Sequence, residues 1–317
     1  MRKKSIIQLI FFLIVLIIIG LLLDFIIEKG VKRSEISWTG KVNKICSQIN
    51  EPQIAIFGSS VGEVGISPII LSQQLKKSAY NFSIDGTPFI QYEGLIKEFL
   101  NKNEKTEIVV LAEAYFSLSS KNEITEIQRY LANINNDNVY NSLFFIQPDL
   151  AWKCRHLPLY KYITTDHTYF MNAFDGYKRY FSGNQLIDSN FGQRPVDRNW
   201  EVDEDLKIKE SKYFDIIIDS HIVNKYDFIL KKTKNKNKKT FIVLMPVFKL
   251  VSKKYTNLEP VRKALYNLAK NNNVTFLDFT TLELCNQKEY FYNSNHLNRK
   301  GSSIISNILA DSICGIK

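Results

Sequence analysis

The sequence predicts an α/β fold: a three-layer α/β/α sandwich on a parallel sheet, preceded by an N-terminal transmembrane helix and interrupted by an aromatic-rich, mostly helical insertion. Three observations carry that expectation. Short apolar runs rich in β-branched residues alternate with longer amphipathic stretches, the pattern of strands covered on both faces by helices. A single long apolar segment stands at the N-terminus. A long middle region breaks the alternation and concentrates aromatic side chains.

Residues 6–23 form an 18-residue stretch broken only by Gln8 and Gly20, with Arg2, Lys3 and Lys4 in front of it. As a helix it reaches about 27 Å, enough for a thin bilayer core. A cleaved signal peptide would have a shorter apolar core and a small-residue site behind it. Here Leu23 is followed by Asp24, Phe25, Ile26, Ile27 and Glu28, so an uncleaved signal anchor is expected. Residues 1–30 are then a cytoplasmic tip and anchor. Residues 31–317 form an extracytoplasmic domain, because the basic flank stays inside. Such a domain has no supply of ATP or NADH, which turns attention to hydrolases, group transferases and binding proteins of the envelope.

Beyond the anchor, residues 34–50 read as a helix, 53–57 (QIAIF) as a strand and 67–77 as a helix with Pro68 in its first turn. Strands at 80–84 and 107–112 flank a helix at 89–101. After the middle region come one long helix at 206–230, strands at 240–245 and 274–278, a helix at 258–271 and a closing helix at 299–313. The middle, residues 114–204, carries Tyr140, Phe144, Phe145, Trp152, Tyr160, Tyr162, Tyr169, Phe170, Phe174, Tyr177, Tyr180 and Phe181. It reads as an insertion at the carboxyl edge of the sheet, where ligands bind in open α/β folds, with its aromatics forming a core of their own.

The 42 lysines and arginines exceed the 32 acidic residues by ten, but they are interleaved with acids. The one dense basic run, residues 231–239, follows a helix whose carboxyl end it complements, so no nucleic-acid partner is expected. Cys46, Cys154, Cys285 and Cys314 form no CxxC pair, which points to neither a metal site nor a disulfide framework. No cofactor is expected.

Two segments carry chemistry. Gly58-Ser59-Ser60 directly follows the first strand, so a serine projects from the carboxyl end of the sheet where backbone N–H groups can face an oxyanion. Asn293-Ser294-Asn295-His296-Leu297-Asn298 precedes the last helix, and parallel topology can return its histidine to the same edge. His156, His167 and His221 lack such context and read as structural.

These blocks, in this order, resemble the SGNH (GDSL-like) hydrolase superfamily, in its membrane-anchored branch of cell-envelope O-acyltransferases and D-alanine-transfer proteins. The resemblance covers residues 50–113 and 236–314. It implies Ser60 as nucleophile, His296 as base, and Gly86 of Asn81-Phe82-Ser83-Ile84-Asp85-Gly86 as the oxyanion glycine, with Ser59 and Asn298 as further oxyanion or binding residues. Two positions depart from the family. Asn293 stands where an aspartate orients the histidine; the corresponding amide in one serine protease lowers turnover by about 10⁴. Glu113-Ala114-Tyr115 stands where an oxyanion asparagine is common, and one such donor is worth about 10²- to 10³-fold.

The implied function is a membrane-anchored esterase or O-acyltransferase acting on ester groups of a cell-surface polysaccharide through a serine acyl-enzyme. Its partners would be a glycan, an acyl carrier or donor, and a membrane-bound acyltransferase. The alternative is a catalytically degenerate binding or scaffold protein of envelope polysaccharide export or modification.

Overall fold

A computed structural model describes residues 3–47, 51–183 and 188–315. Arg2 and the last three residues of the helix expected at 34–50 lie outside them. The chain opens with α1 (Lys3–Arg33) and α2 (Ser37–Ser47). There follow β1 (Ile54–Gly58), α3 (Ser60–Gly65), α4 (Pro68–Leu75), β2 (Ala79–Asn81), α5 (Phe89–Lys102) and β3 (Ile108–Glu113). The middle supplies α6 (Asp137–Ile146), α7 (Pro148–His156), α8 (His167–Ser182), α9 (Glu204–Glu210) and α10 (Ser220–Asn235). The last stretch is β4 (Lys239–Leu244), α11 (Lys249–Ser252), α12 (Leu258–Asn272), β5 (Thr275–Asp278), β6 (Phe291–Asn293), β7 (His296–Leu297) and α13 (Arg299–Gly315).

The chain divides into two compact units. The first combines Met1–Ser47 with Glu123–Leu186, and the second combines Gln48–Asn122 with Ile187–Lys317. The second holds the five-stranded parallel sheet, in the order β2-β1-β3-β4-β5. That order dictates where the helices lie. The step from β1 to β2 runs one way across the sheet, while every later step runs the other way. Right-handed crossovers therefore put α4 on one face and α5, α10 and α12 on the other. The packing agrees: α10 lies between α5 and α12, and α13 joins α3 and α4. β1 and β3 are buried along their whole length, as central strands covered on both faces must be. Phe57 of β1 packs on Phe82 and Phe99, with ring centroids 5.5 and 5.2 Å apart.

The helix expected at 206–230 is two helices. Residues 211–219 between α9 and α10 are not helical, and Phe214 bridges to the chain around Tyr255, its N–H donating to Lys254 O at 2.8 Å and its carbonyl accepting from the Thr256 N–H at 3.0 Å. Three consecutive isoleucines, Ile216 to Ile218, favour extended backbone. The Asp219 carboxylate then restarts the helix by accepting the His221 N–H at 2.8 Å.

The helical unit is built around α1, a helix of 31 residues whose most apolar window has a mean hydropathy of 3.3 with 6% of it buried. By length and composition it can cross a membrane. The aromatic core expected for the middle region is not formed. Of the twelve aromatics named above, Tyr169 alone is buried, and seven are exposed. The partner that the buried face of this region meets is α1 itself: Val31, Ile127, Leu131, Ala132, Cys154, Tyr169 and Ala173 form one apolar cluster. Residues 114–122 and 188–204, read from sequence as part of the insertion, group with the sheet unit.

Candidate active site

β1 ends at Gly58, where a Cβ would stand 2.4 Å from the carbonyl oxygen of Ala112 on β3. Only glycine lets the two main chains approach this closely. The chain then turns at once into α3: the Ser59 carbonyl accepts from the Gly62 and Glu63 N–H groups at 3.1 and 3.0 Å, and Ser60 is the first helical residue. Ser60 thus sits at the carboxyl end of β1, between β2 and β3, at the point where the strand order reverses. Open α/β sheets place their ligand crevice there.

The histidine arrives on a two-stranded antiparallel ribbon, β6 and β7, which the sequence pattern did not show. Asn293 and His296 face each other across it. His296 Nε2 lies 2.8 Å from Ser60 Oγ, and Nδ1 lies 2.9 Å from Asn293 Oδ1. The Asn295 N–H donates to that same Oδ1 at 3.1 Å. A backbone donor there requires the amide's oxygen, rather than its nitrogen, to face the ring. Nδ1 therefore carries the proton and donates it to Asn293, leaving Nε2 as the acceptor for the Ser60 hydroxyl. This is the tautomer a general base needs.

The ring is stacked on Tyr292, with centroids 5.5 Å apart and planes 10° from parallel. Burial lowers the His296 pKa below its ordinary value of 6.5; Asp85 opposes the shift, Arg194 adds to it, and Glu204 and Glu63 oppose it. Arg194 bridges Glu63 and Asp85 at 3.2 and 3.0 Å. Glu204 is buried and accepts the Ser294 N–H at 2.8 Å. Burial alone would raise its pKa, but the bonds from Ser294 and the charge of Lys207 outweigh burial and hold it below the usual carboxylate range. Arg194 and Glu204 were not singled out from the sequence. Both lie in the segment assigned there to the insertion, and no local motif marks them.

A cavity of about 110 Å³ opens beside Ser60, lined also by Val61, Tyr115, Tyr255, Asn295 and His296. Gly86 stands in the turn after β2, exposed and with φ of +70°, outside that lining. The Ser59 hydroxyl is buried with no hydrogen-bond partner among the described residues. Asn298 is committed to the main chain: its amide donates to Glu289 O at 2.7 Å, and its oxygen accepts from Gly301 N–H at 3.1 Å, capping α13. At the end of β3, where an oxyanion asparagine would be expected, the Glu113 carboxylate is fully buried. It accepts from Tyr92 Oη at 2.9 Å and Tyr226 Oη at 2.8 Å.

No family model matches the chain, and no curated protein matches it. Among solved structures, the chain is similar to a candidate platelet activating factor from Streptococcus pneumonia, at 12% identity and a TM-score of 0.46, over 93% of this chain and 97% of that one. It is similar to a candidate acylhydrolase from Bacteroides fragilis, at 12% identity and 0.41, over 84% and 88% of the two chains. A carbohydrate acetylesterase from Sinorhizobium meliloti follows at 8% identity and 0.38, over 83% and 99%. Likenesses this distant carry no functional argument, and the reading below rests on the chain's own residues.

Proposed function

We propose that the chain is a membrane-anchored serine esterase or O-acyltransferase acting on ester groups of a cell-surface polysaccharide. The observation that supports this reading is the line Ser60–His296–Asn293, with its tautomer set by the Asn295 N–H. Ser60 Oγ attacks the ester carbonyl carbon while His296 Nε2 takes its proton. The tetrahedral oxyanion faces N–H groups at the start of α3. It collapses to acyl-Ser60 as Nε2 returns the proton to the departing alkoxide. Water or an acceptor hydroxyl, deprotonated by the same nitrogen, then attacks the acyl group and frees Ser60. Asn293 holds the ring but supplies no charge to the imidazolium; the negative charge near the ring comes from Asp85, Glu204 and Glu63. The cavity suits a short acyl chain. α1 serves as the anchor, with residues after about 30 outside the cytoplasm. A polysaccharide or acyl donor, and a membrane-bound acyltransferase, are the partners this reading names.

A fluorophosphonate probe on the full chain in detergent tests it. A covalent adduct on Ser60, absent when His296 is replaced by alanine, is the expected result. An absence of adduct would favour the second reading, a binding or scaffold module of envelope polysaccharide export. The sealed Glu113 carboxylate in the expected oxyanion position is the observation on its side.

A further inference from the structure

Within the helical unit, α1 and α8 cross in backbone contact. A Cβ at Gly176 would stand 1.9 Å from the Gly30 carbonyl oxygen, and one at Gly30 would stand 2.7 Å from Ala173 O. Small residues at a crossing allow this approach, as between helices in lipid. The contact continues along α1 toward its N-terminus. Gly20, Asp24, Ile27, Glu28 and Val31 form one helical stripe of buried or half-buried residues, whereas Leu21, Leu22, Leu23, Phe25 and Ile26 are exposed. Tyr162 donates to Asp24 at 2.7 Å, Tyr177 to Ile26 O at 2.8 Å, and buried Lys161 pairs with both Asp24 and Glu28 at 2.8 Å. Lowest of all, Leu159 Cδ1 would be 2.8 Å from a Cβ at Gly20. Gly20 is inside the apolar stretch, three residues before its end, and at 1.5 Å per residue this is about 5 Å deep.

On α8 the buried residues Tyr169, Asn172, Ala173 and Gly176 form the face against α1. At 100° per residue, Phe170, Phe174 and Phe181 fall within about 40° of each other on an adjoining stripe. They are 45%, 68% and 79% exposed, and Ile163 in the turn before α8 is 78% exposed. Exposed apolar patches of this kind on a water-facing surface are unusual. Lys178 flanks the stripe, exposed, with a side chain long enough to reach headgroups.

We propose that α8 and the turn at residues 157–163 form an interfacial platform, seated in the outer leaflet with Phe170, Phe174, Phe181 and Ile163 among the acyl chains. The occupant of this face is lipid because the same turn touches α1 inside its membrane stretch. Whatever surrounds Gly20 surrounds Leu159. Aromatic residues at the level where α1 leaves the apolar region match the belt position, and a burial depth of about 5–10 Å is usual for interfacial helices. The inference rests on α1 crossing the membrane.

The test replaces single residues of the full chain with the photoreactive benzoyl-phenylalanine, reconstitutes it in vesicles of phosphatidylethanolamine and phosphatidylglycerol, and reads lipid adducts by mass. Positions Phe174, Phe181 and Ile163 are compared with Leu13 in α1. Adducts at all four, within about threefold of one another, are expected. Lipid adducts at Leu13 with none at the other three would overturn the platform and leave the anchor standing. Crosslinks from position 174 to a second copy of the chain, without lipid, would overturn it in favour of a self-association face. No adduct at Leu13 would remove the membrane reading and the platform with it.

Discussion

β1 and β3 run side by side with Gly58 opposite Ala112, and each leads to a polar residue at the same edge of the sheet, Ser60 two residues past β1 and Glu113 at the end of β3. At β1 the chain turns away after a glycine, and the hydroxyl of Ser60 meets an imidazole beside a cavity. At β3 the Glu113 carboxylate stays in the interior and receives two tyrosine hydroxyls from α5 and α10. Both groups are hydrogen-bonded, but with opposite results. The serine's partner can take its proton, whereas the glutamate's partners only satisfy it. Burial raises the Glu113 pKa against the hydrogen bonds of Ser117, Tyr226 and Tyr92 that lower it, and it raises those of Tyr92 and Tyr226 still more strongly. A polar strand end becomes a reactive site only where the chain also leaves room for a substrate.

The largest test of this contrast is Ser60→Ala. It should abolish probe labelling and lower ester turnover by about 10³-fold or more, with an unchanged thermal midpoint. Glu113→Leu should do the reverse. It leaves two buried hydroxyls unpaired, at about 1–3 kcal/mol each, and a stability loss of about 2–5 kcal/mol in urea titration is expected, with Ser60 labelling retained in the folded fraction. Loss of labelling at full stability would show that the end of β3 belongs to the site after all.

Asn293→Asp is the next effect in size. A charge beside Nδ1 should raise turnover of a small acetyl ester at least about tenfold, or about 1.4 kcal/mol of barrier, and Ser60→Ala should remove that gain. No gain would mean that the oxyanion side, rather than the orienter, limits the chemistry. The smallest effects are in pH. Because burial depresses the His296 pKa, the acid limb of kcat/KM should lie below pH 6.5. Asp85→Asn should move it lower still, and Arg194→Gln should move it up. For Glu113 the sign is opposite: a raised carboxyl favours the protonated folded state. Wild-type stability relative to Glu113→Gln should therefore fall as pH rises from about 4.5, measured by denaturant midpoints.

β1, β3 and β4 were legible in sequence because they are short, β-branched-rich runs buried over nearly their whole length, each within one residue of its expected position. By contrast, β2 ends at Asn81, three residues before the expected 84, and β5 is only half-buried. Ser60 was legible from its place just after the first strand, and His296 and Asn293 from the polar block that precedes the last helix. The parts that were not legible depend on contacts far apart in the chain. The β6–β7 ribbon is five residues of backbone pairing with no hydrophobic alternation. Glu204 matters only because its carboxylate lies under the Ser294 N–H, 90 residues away. The aromatics of α8 fit a core by composition, and their exposure follows from the glycine-to-glycine crossing with α1, which no local pattern encodes. The split of the 206–230 helix was readable in principle from Ile216, Ile217 and Ile218 ahead of a capping Asp219.

Ser60 and His296 lie 236 residues apart, and this has a consequence in time. A ribosome adding about 5–20 residues per second delivers the nucleophile some 10–50 s before its base. Through that interval the β1 turn can form and α3 can fold, but Ser60 has no acceptor for its proton and keeps the reactivity of an ordinary alcohol. The ribbon that carries His296 docks only after β4 and β5 have extended the sheet. The growing chain thus holds Ser60 without its histidine partner until the ribbon ahead of the last helix has been made.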